Sequence, residues 1–210
     1  MRIGDIKAEA LRIMFVNNDD MIKVDSLSDL AGLENYRTYL LNMNGSINRC
    51  FSAIERKRVL PLKEFVLSQS NALASGYFSR FDLSDLIPDF YDLERVVYEC
   101  DEAYIGDLDY RREGNTLILN RVNSDGVYRA LYYPRIKRLT DLSGYLEELD
   151  VPDEIACLIP YFIKGDLYRD DEPNEASEAR NWFEQGIDEL VQQRAEKHGS
   201  VLTVFSQVAE

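Results

Sequence analysis

Few side chains in this 210-residue chain stand where bond-making chemistry would need them. The single histidine, His198, falls near the end of the last predicted helix, a poor anchor for acid–base or triad chemistry. The three cysteines, Cys50, Cys100 and Cys157, are far apart and odd in number, without CxxC pairing or the density of a disulfide framework. They read as buried thiols of a reducing cytoplasm. Cysteine and histidine spacings build no zinc site, and no glycine-rich phosphate cradle occurs. Asp107-x-Asp109 has the spacing to hold a divalent cation, but in so acidic a chain that spacing arises by chance, and a lone carboxylate pair makes a poor magnesium cage. Tyr77-Phe78, Phe90-Tyr91 and Tyr132-Tyr133 could stack nucleic-acid bases. Beside many acids they read instead as packing of a sheet or an interface. The expectation is a protein that is no enzyme and carries no cofactor and no metal.

Charge narrows the classes further. With 24 basic and 38 acidic residues the formal charge is −14, which opposes sequence-independent binding of nucleic acid, since that affinity comes from cations releasing phosphate counterions. The charge is also unevenly spread. Residues 82–109 hold ten acids against one base, residues 121–139 five bases against one acid, and residues 141–189 fifteen acids against three bases. A single acidic run is usually a solvated face. A basic hairpin beside acidic helices also suits head-to-tail contacts between identical subunits, with Arg129, Arg135, Lys137 and Arg138 on one side and Asp170, Asp171 and Glu172 on the other. No apolar run of signal-peptide length follows Met1-Arg2, and no stretch is long and apolar enough to span a bilayer, so a soluble intracellular protein is expected.

The elements that would position these residues fall into three blocks. Ile3, Ile6, Ala10, Leu11 and Met14 make one apolar helical stripe, closed by the turn residues Asn17 to Asp20. A second helix runs from about Leu33 through Leu40 and Leu41 and is expected to break at Asn44-Gly45. A third carries Ile47, Cys50, Phe51 and Ile54 inward, and Pro61 ends the block. From Leu62 to about Thr140 the helical period disappears. Glu64–Leu67, Leu93–Cys100, Thr116–Val122 and Val127–Tyr133 read as strands, with a hairpin at Asn123-Ser124-Asp125-Gly126 and another turn at Glu113-Gly114-Asn115. Helices return at Pro152-Asp153-Glu154, where proline suits the first turn and acids suit the positive helix end. Pro160 and Gly165 predict a kink or early break. Pro173 opens the last long helix, with Ala176, Ala179, Trp182, Phe183, Ile187, Leu190 and Val191 apolar, and Val201–Phe205 lies in a terminal tail. The fold class is thus α+β: a bundle of N- and C-terminal helices (1–61 and 141–198) with an inserted small antiparallel sheet (62–140) and a tail (199–210).

Two stretches resemble a known family. Asn42–Cys50, continuing through Ile54-Glu-Arg-Lys-Arg-Val-Leu-Pro61, resembles the N-terminal helix-turn-helix of bacteriophage head–tail adaptor (connector) proteins. Pro152–Tyr168, followed by Asp170-Asp-Glu-Pro and Ala179-Arg-Asn-Trp-Phe-Glu184, is similar to their C-terminal helical pair. The two stretches cover less than half the chain. The resemblance implies a virion structural subunit in the neck, made in the host cytoplasm. It would form a homo-oligomeric ring, usually twelve-fold, that joins the portal protein to tail or neck proteins and lines a channel through which DNA passes without specific binding. It also implies a C-terminal tail that docks into the portal, here Val201, Leu202, Thr203, Val204 and Phe205, added as a strand or as a wedge in a groove. Two rival readings remain open at this point: another neck or tail completion protein, and an acidic DNA mimic that inhibits a DNA-binding protein. The +4 patch over 121–139 speaks against the mimic.

Overall fold

The computed structural model describes residues 1–15, 27–30, 34–68, 73–75, 78–100, 103–107, 110–120 and 127–206. The fold is α+β, and the chain divides into two compact units, Met1–Val59 with Lys137–Glu210, and Leu60–Ile136. These boundaries lie a few residues upstream of the breaks read from the sequence after 61 and 140.

The discontinuous unit is helical. Its elements are α1 (Ile3–Met14), the single turn α2 (Leu27–Leu30), α3 (Glu34–Arg56), the short α5 (Asp153–Ala156), α6 (Ile159–Leu167) and α7 (Pro173–Ser206). Ile3, Ile6, Ala10, Leu11 and Met14 are all buried, as a 3.6-residue stripe facing a core should be. The apolar α6 is the hub: α1, α3 and α7 each pack against it. It also finishes α1, whose last carbonyls have no partner within their own helix. Lys164 donates to the Ile13 carbonyl at 3.2 Å and the Tyr168 hydroxyl to that of Met14 at 2.8 Å. Phe162 meets Phe183 edge to face with ring centroids 5.0 Å apart, tying α6 to α7.

Three sequence expectations are corrected in this unit. Asn44-Gly45 does not interrupt a helix, because α3 is continuous. The asparagines are used as clamps: Asn44 donates to the Thr140 carbonyl at 3.1 Å, and one turn on Asn48 both donates to the Leu139 carbonyl (2.9 Å) and accepts from its N–H (2.8 Å). The break expected at Pro160 and Gly165 falls earlier, at Cys157-Leu158, and Pro160 sits in the first turn of α6, where its missing N–H has no helical partner to lose. Cys50 is buried as expected, whereas Cys157, at that break, is exposed and its thiol donates to the Glu154 carbonyl at 3.3 Å.

Two of the helical glycines, Gly45 and Gly165, give a contrast that urea unfolding can measure. A Cβ on Gly45 would meet only the end of the Arg49 side chain at 3.5 Å, so Gly45→Ala should stabilise the protein by about 0.5–1 kcal/mol. A Cβ on Gly165 would lie 3.0 Å from the Ala176 carbonyl oxygen and 3.2 Å from the Arg180 nitrogen, both backbone atoms of α7. Gly165→Ala must push the two helices apart and should destabilise by about 1–2 kcal/mol.

The Leu60–Ile136 unit holds β1 (Lys63–Leu67), β2 (Leu73–Ser75), β3 (Phe78–Asp82), the one-turn α4 (Leu83–Leu86), β4 (Phe90–Cys100), β5 (Ala103–Asp107), β6 (Tyr110–Glu113), β7 (Thr116–Asn120) and β8 (Val127–Pro134). They form two antiparallel sheets, ordered β1-β8-β4-β5 and β2-β3-β7-β6, where the sequence suggested one. Leu93, Val96, Tyr128, Ala130 and Tyr132 of the first share a core with Phe81, Leu117 and Leu119 of the second. The described residues of β7 and β8 do not pair with each other as the expected hairpin would require. These strands belong to different sheets, and residues 121–126, which carry the Asp-Gly signal, lie outside the described residues. β8 alternates in and out along its length and is paired on both edges, by β1 and by β4. The Gly114-Asn115 turn does form, linking Glu113 to Thr116 with Gly114 at φ +62°, the left-handed conformation a two-residue hairpin favours.

Candidate interaction surfaces

The structure distributes the residues singled out above rather than gathering them. Arg129 and Arg135 belong to the sheet unit, and Lys137 and Arg138 to the helical one. All four have partners within the chain. Arg129 pairs with Glu64, Arg135 donates to the Phe90 carbonyl at 3.0 Å, Lys137 lies 2.9 Å from Glu147, and Arg138 lies 2.5 Å from Glu55. Asp170, Asp171 and Glu172 are exposed in the turn between α6 and α7, with Arg169 3.3 Å from Asp170. A basic hairpin face is therefore not what the four cations make.

Of the Asp107-x-Asp109 pair, Asp107 ends β5 and Asp109 lies outside the described residues. Among the described residues no group of three His, Cys, Asp or Glu is placed to hold a metal ion. Of the aromatic pairs, Tyr77 lies outside the described residues, while Phe90 and Tyr132 are buried with ring centroids 6.0 Å apart. The Tyr132 hydroxyl donates to Asp89 at 2.9 Å, and Lys63 holds the other oxygen at 2.8 Å. Burial pushes the Asp89 carboxyl up, but the hydrogen bonds from Lys63 and Tyr132 outweigh it and hold its pKa below the ordinary value. This is a structural network, not a base-stacking platform.

Val201–Phe205 are not an extended tail: α7 runs on through Gly199 to Ser206, and these five residues are helical. The groove at the start of α7, of about 290 Å³, is lined by Gly165, Arg169, Ala176, Ser177, Arg180 and Asn181 among others. Arg180 is held there over the Phe162 ring at 4.3 Å and beside Asp166 at 4.0 Å. Its lining offers donors, but no nucleophile with an adjacent base.

Three features were missed. Trp182 is one of the apolar positions read in the last helix, yet it is 58 % exposed. Its polar neighbours Glu178, Gln185 and Glu189 were the available signal, since residues three and four apart share a helix face. In the segment before α5, Leu142 and Leu146 are 94 % and 66 % exposed. On the outer face of the second sheet, Arg80 and Arg111 flank Ile118 across three strands, with Phe78 beside Arg80. That grouping depends on strand pairings no local pattern encodes.

Fold and surfaces define an α+β chain with apolar and oppositely charged exposed patches. No helix among the described residues is long and apolar enough to cross a membrane. No family model matches the chain, and no curated protein is significantly similar to it.

Proposed function

We propose that this chain is a non-enzymatic structural subunit that assembles with copies of itself, and that its place is the neck of a bacteriophage virion, as a head–tail adaptor ring between portal and tail. The observation that carries the assembly reading is the exposure of Trp182, Leu142 and Leu146 in one unit and of Phe78 and Val66 in the other. Large side chains left in water on a charged surface are what partner contacts bury. Support for the neck comes from the stretches that resemble adaptor proteins, which fall on α3 and on α5 to α7; α3 and α7 both pack on α6. In such a ring, acidic faces turned to the lumen would repel the phosphate backbone and let DNA slide. Portal docking by Val201–Phe205 would use a helix laid in a groove rather than an added strand, because the segment is helical.

Electron microscopy of the chain mixed with its cognate portal tests the reading. A stacked annulus is expected; a portal that remains bare, with the chain monomeric at high micromolar concentration, overturns it. Val204→Asp with Phe205→Asp should abolish portal capture while circular dichroism stays that of the parent. Unchanged capture would remove the terminal segment from the interface.

A further inference from the structure

Two exposed faces of the chain have complementary composition. On α7, Glu178, Trp182, Gln185 and Glu189 follow one another at spacings of four, three and four, and so form one stripe, exposed along its length. Neither Glu178 nor Glu189 makes an ion pair among the described residues. The stripe is an aromatic anchor with a carboxylate at each end. The other α7 acids differ: Glu175 is engaged by Lys164 at 2.7 Å, and Glu184 and Asp188 by Lys57 at 3.3 and 2.8 Å.

The second face lies on the β2-β3-β7-β6 sheet. Arg80 of β3 stands opposite Ile118 of β7, which stands opposite Arg111 of β6, so the three share one side of the sheet. Phe78, two residues before Arg80, shares that side and is exposed. The opposite side, with Phe81, Leu117 and Leu119, belongs to the core. Arg80 makes no ion pair among the described residues. Arg111 is paired only with its strand neighbour Glu113 at 2.9 Å, both being well exposed, a contact worth little and readily exchanged. This face is an aromatic ring beside two guanidiniums.

We infer that these faces are the two halves of the contact between successive copies. Trp182 of one copy packs on Phe78 and the Arg80 and Arg111 side chains of the next, and Glu178 and Glu189 meet the two guanidiniums. Tryptophan is the best ring for an arginine to stack on, and its area makes it a natural anchor. The spans are compatible. Glu178 and Glu189 are about 16 Å apart along the helix axis, Arg80 and Arg111 about 10 Å apart across the sheet, and both side-chain types are long enough to close the difference. Because the faces differ, the contact is heterologous and repeats head to tail, as ring formation requires. The net charge of −14 favours this occupant of the sheet face over nucleic acid.

The inference rests on the assembly reading above, and sedimentation with native mass spectrometry of the full chain separates the two. The parent is expected to associate, more weakly as salt rises. Arg80→Glu with Arg111→Glu, Glu178→Arg with Glu189→Arg, and Trp182→Ala should each raise the dissociation constant of self-association about tenfold or more. Mixing the two charge-reversed proteins should restore assembly, since every junction in an alternating chain is again complementary. A parent that associates while all variants behave like it overturns this inference alone; a parent that stays monomeric overturns the assembly reading and this inference with it. Binding of a fluorescent single-stranded oligonucleotide by the parent, lost on reversal of Arg80 and Arg111, would give the sheet face to nucleic acid and also overturn it.

Discussion

A Lys7→Met variant should resist urea better than the parent at pH 7, by on the order of 2–3 kcal/mol, and the gain should fade as the pH rises to about 10.5. Lys7 lies on α1 with only 4 % of its surface exposed. It makes no ion pair among the described residues, and its ammonium sits over the Tyr145 ring at 5.1 Å. Burial lowers its pKa from 10.5 to about 8. The unfolded chain therefore holds the extra proton between those two values, so this residue's contribution to stability rises with pH across that window. Below pH 8 the folded protein bears the full penalty of a desolvated ammonium, from which the Tyr145 ring returns about 0.5–1 kcal/mol. Above pH 9 other groups act in the opposite sense. Burial pushes the Cys50 thiol up, and burial together with nearby acids raises the Tyr168 hydroxyl to about 12, so their protonated forms favour the folded state and that benefit is lost as pH rises. The parent's own profile is therefore mixed, and the difference between parent and variant isolates Lys7. A difference independent of pH between 7 and 10.5 would show that Lys7 is not buried as a cation.

Arg138→Met should have the opposite effect, a loss of about 2 kcal/mol at neutral pH. Glu55 of α3 is 4 % exposed, and Arg138 reaches it at 2.5 Å while also donating to Ser52 at 3.2 Å and lying over the Phe51 ring. Breaking a fully buried pair costs about 3–5 kcal/mol, because the remaining charge loses its main counter-charge. Arg138 is partly in water, which reduces the figure. Glu55→Gln placed on Arg138→Met should recover part of the loss, since a neutral amide is cheaper to bury than a carboxylate that has lost its guanidinium. Equal midpoints for the single and double variants in urea would show that Glu55 does not depend on Arg138.

Much of the helical unit was legible in the sequence, because burial there follows a local period: the stripe of α1 and the proline start of α7 need no knowledge of distant partners. What failed was set by tertiary contact. Asn44-Gly45 reads as a break until the Leu139-Thr140 backbone appears beside it to take up Asn44 and Asn48. Residues 116–133 read as a hairpin because the Asp-Gly signal is local, whereas the choice of β1 and β4 as partners of β8 depends on one core spanning two sheets. The interaction surfaces were the least legible. Arg129, Arg135, Lys137 and Arg138 are clustered along the chain but are spent on separate internal partners. Arg80 and Arg111, thirty-one positions apart, are brought together by β7.

The central role of α6 also orders events during synthesis. Both α1 and α3 pack on a helix that emerges only after all of residues 60–136. On the ribosome the sheet unit thus has its complete sequence while the N-terminal helices still lack their shared partner. Nascent-chain arrest with residue 136 just clear of the ribosomal exit tunnel and α6 still inside it should yield protease protection confined to the strands, and closing the helical unit across that long gap should be the slow phase of refolding from denaturant.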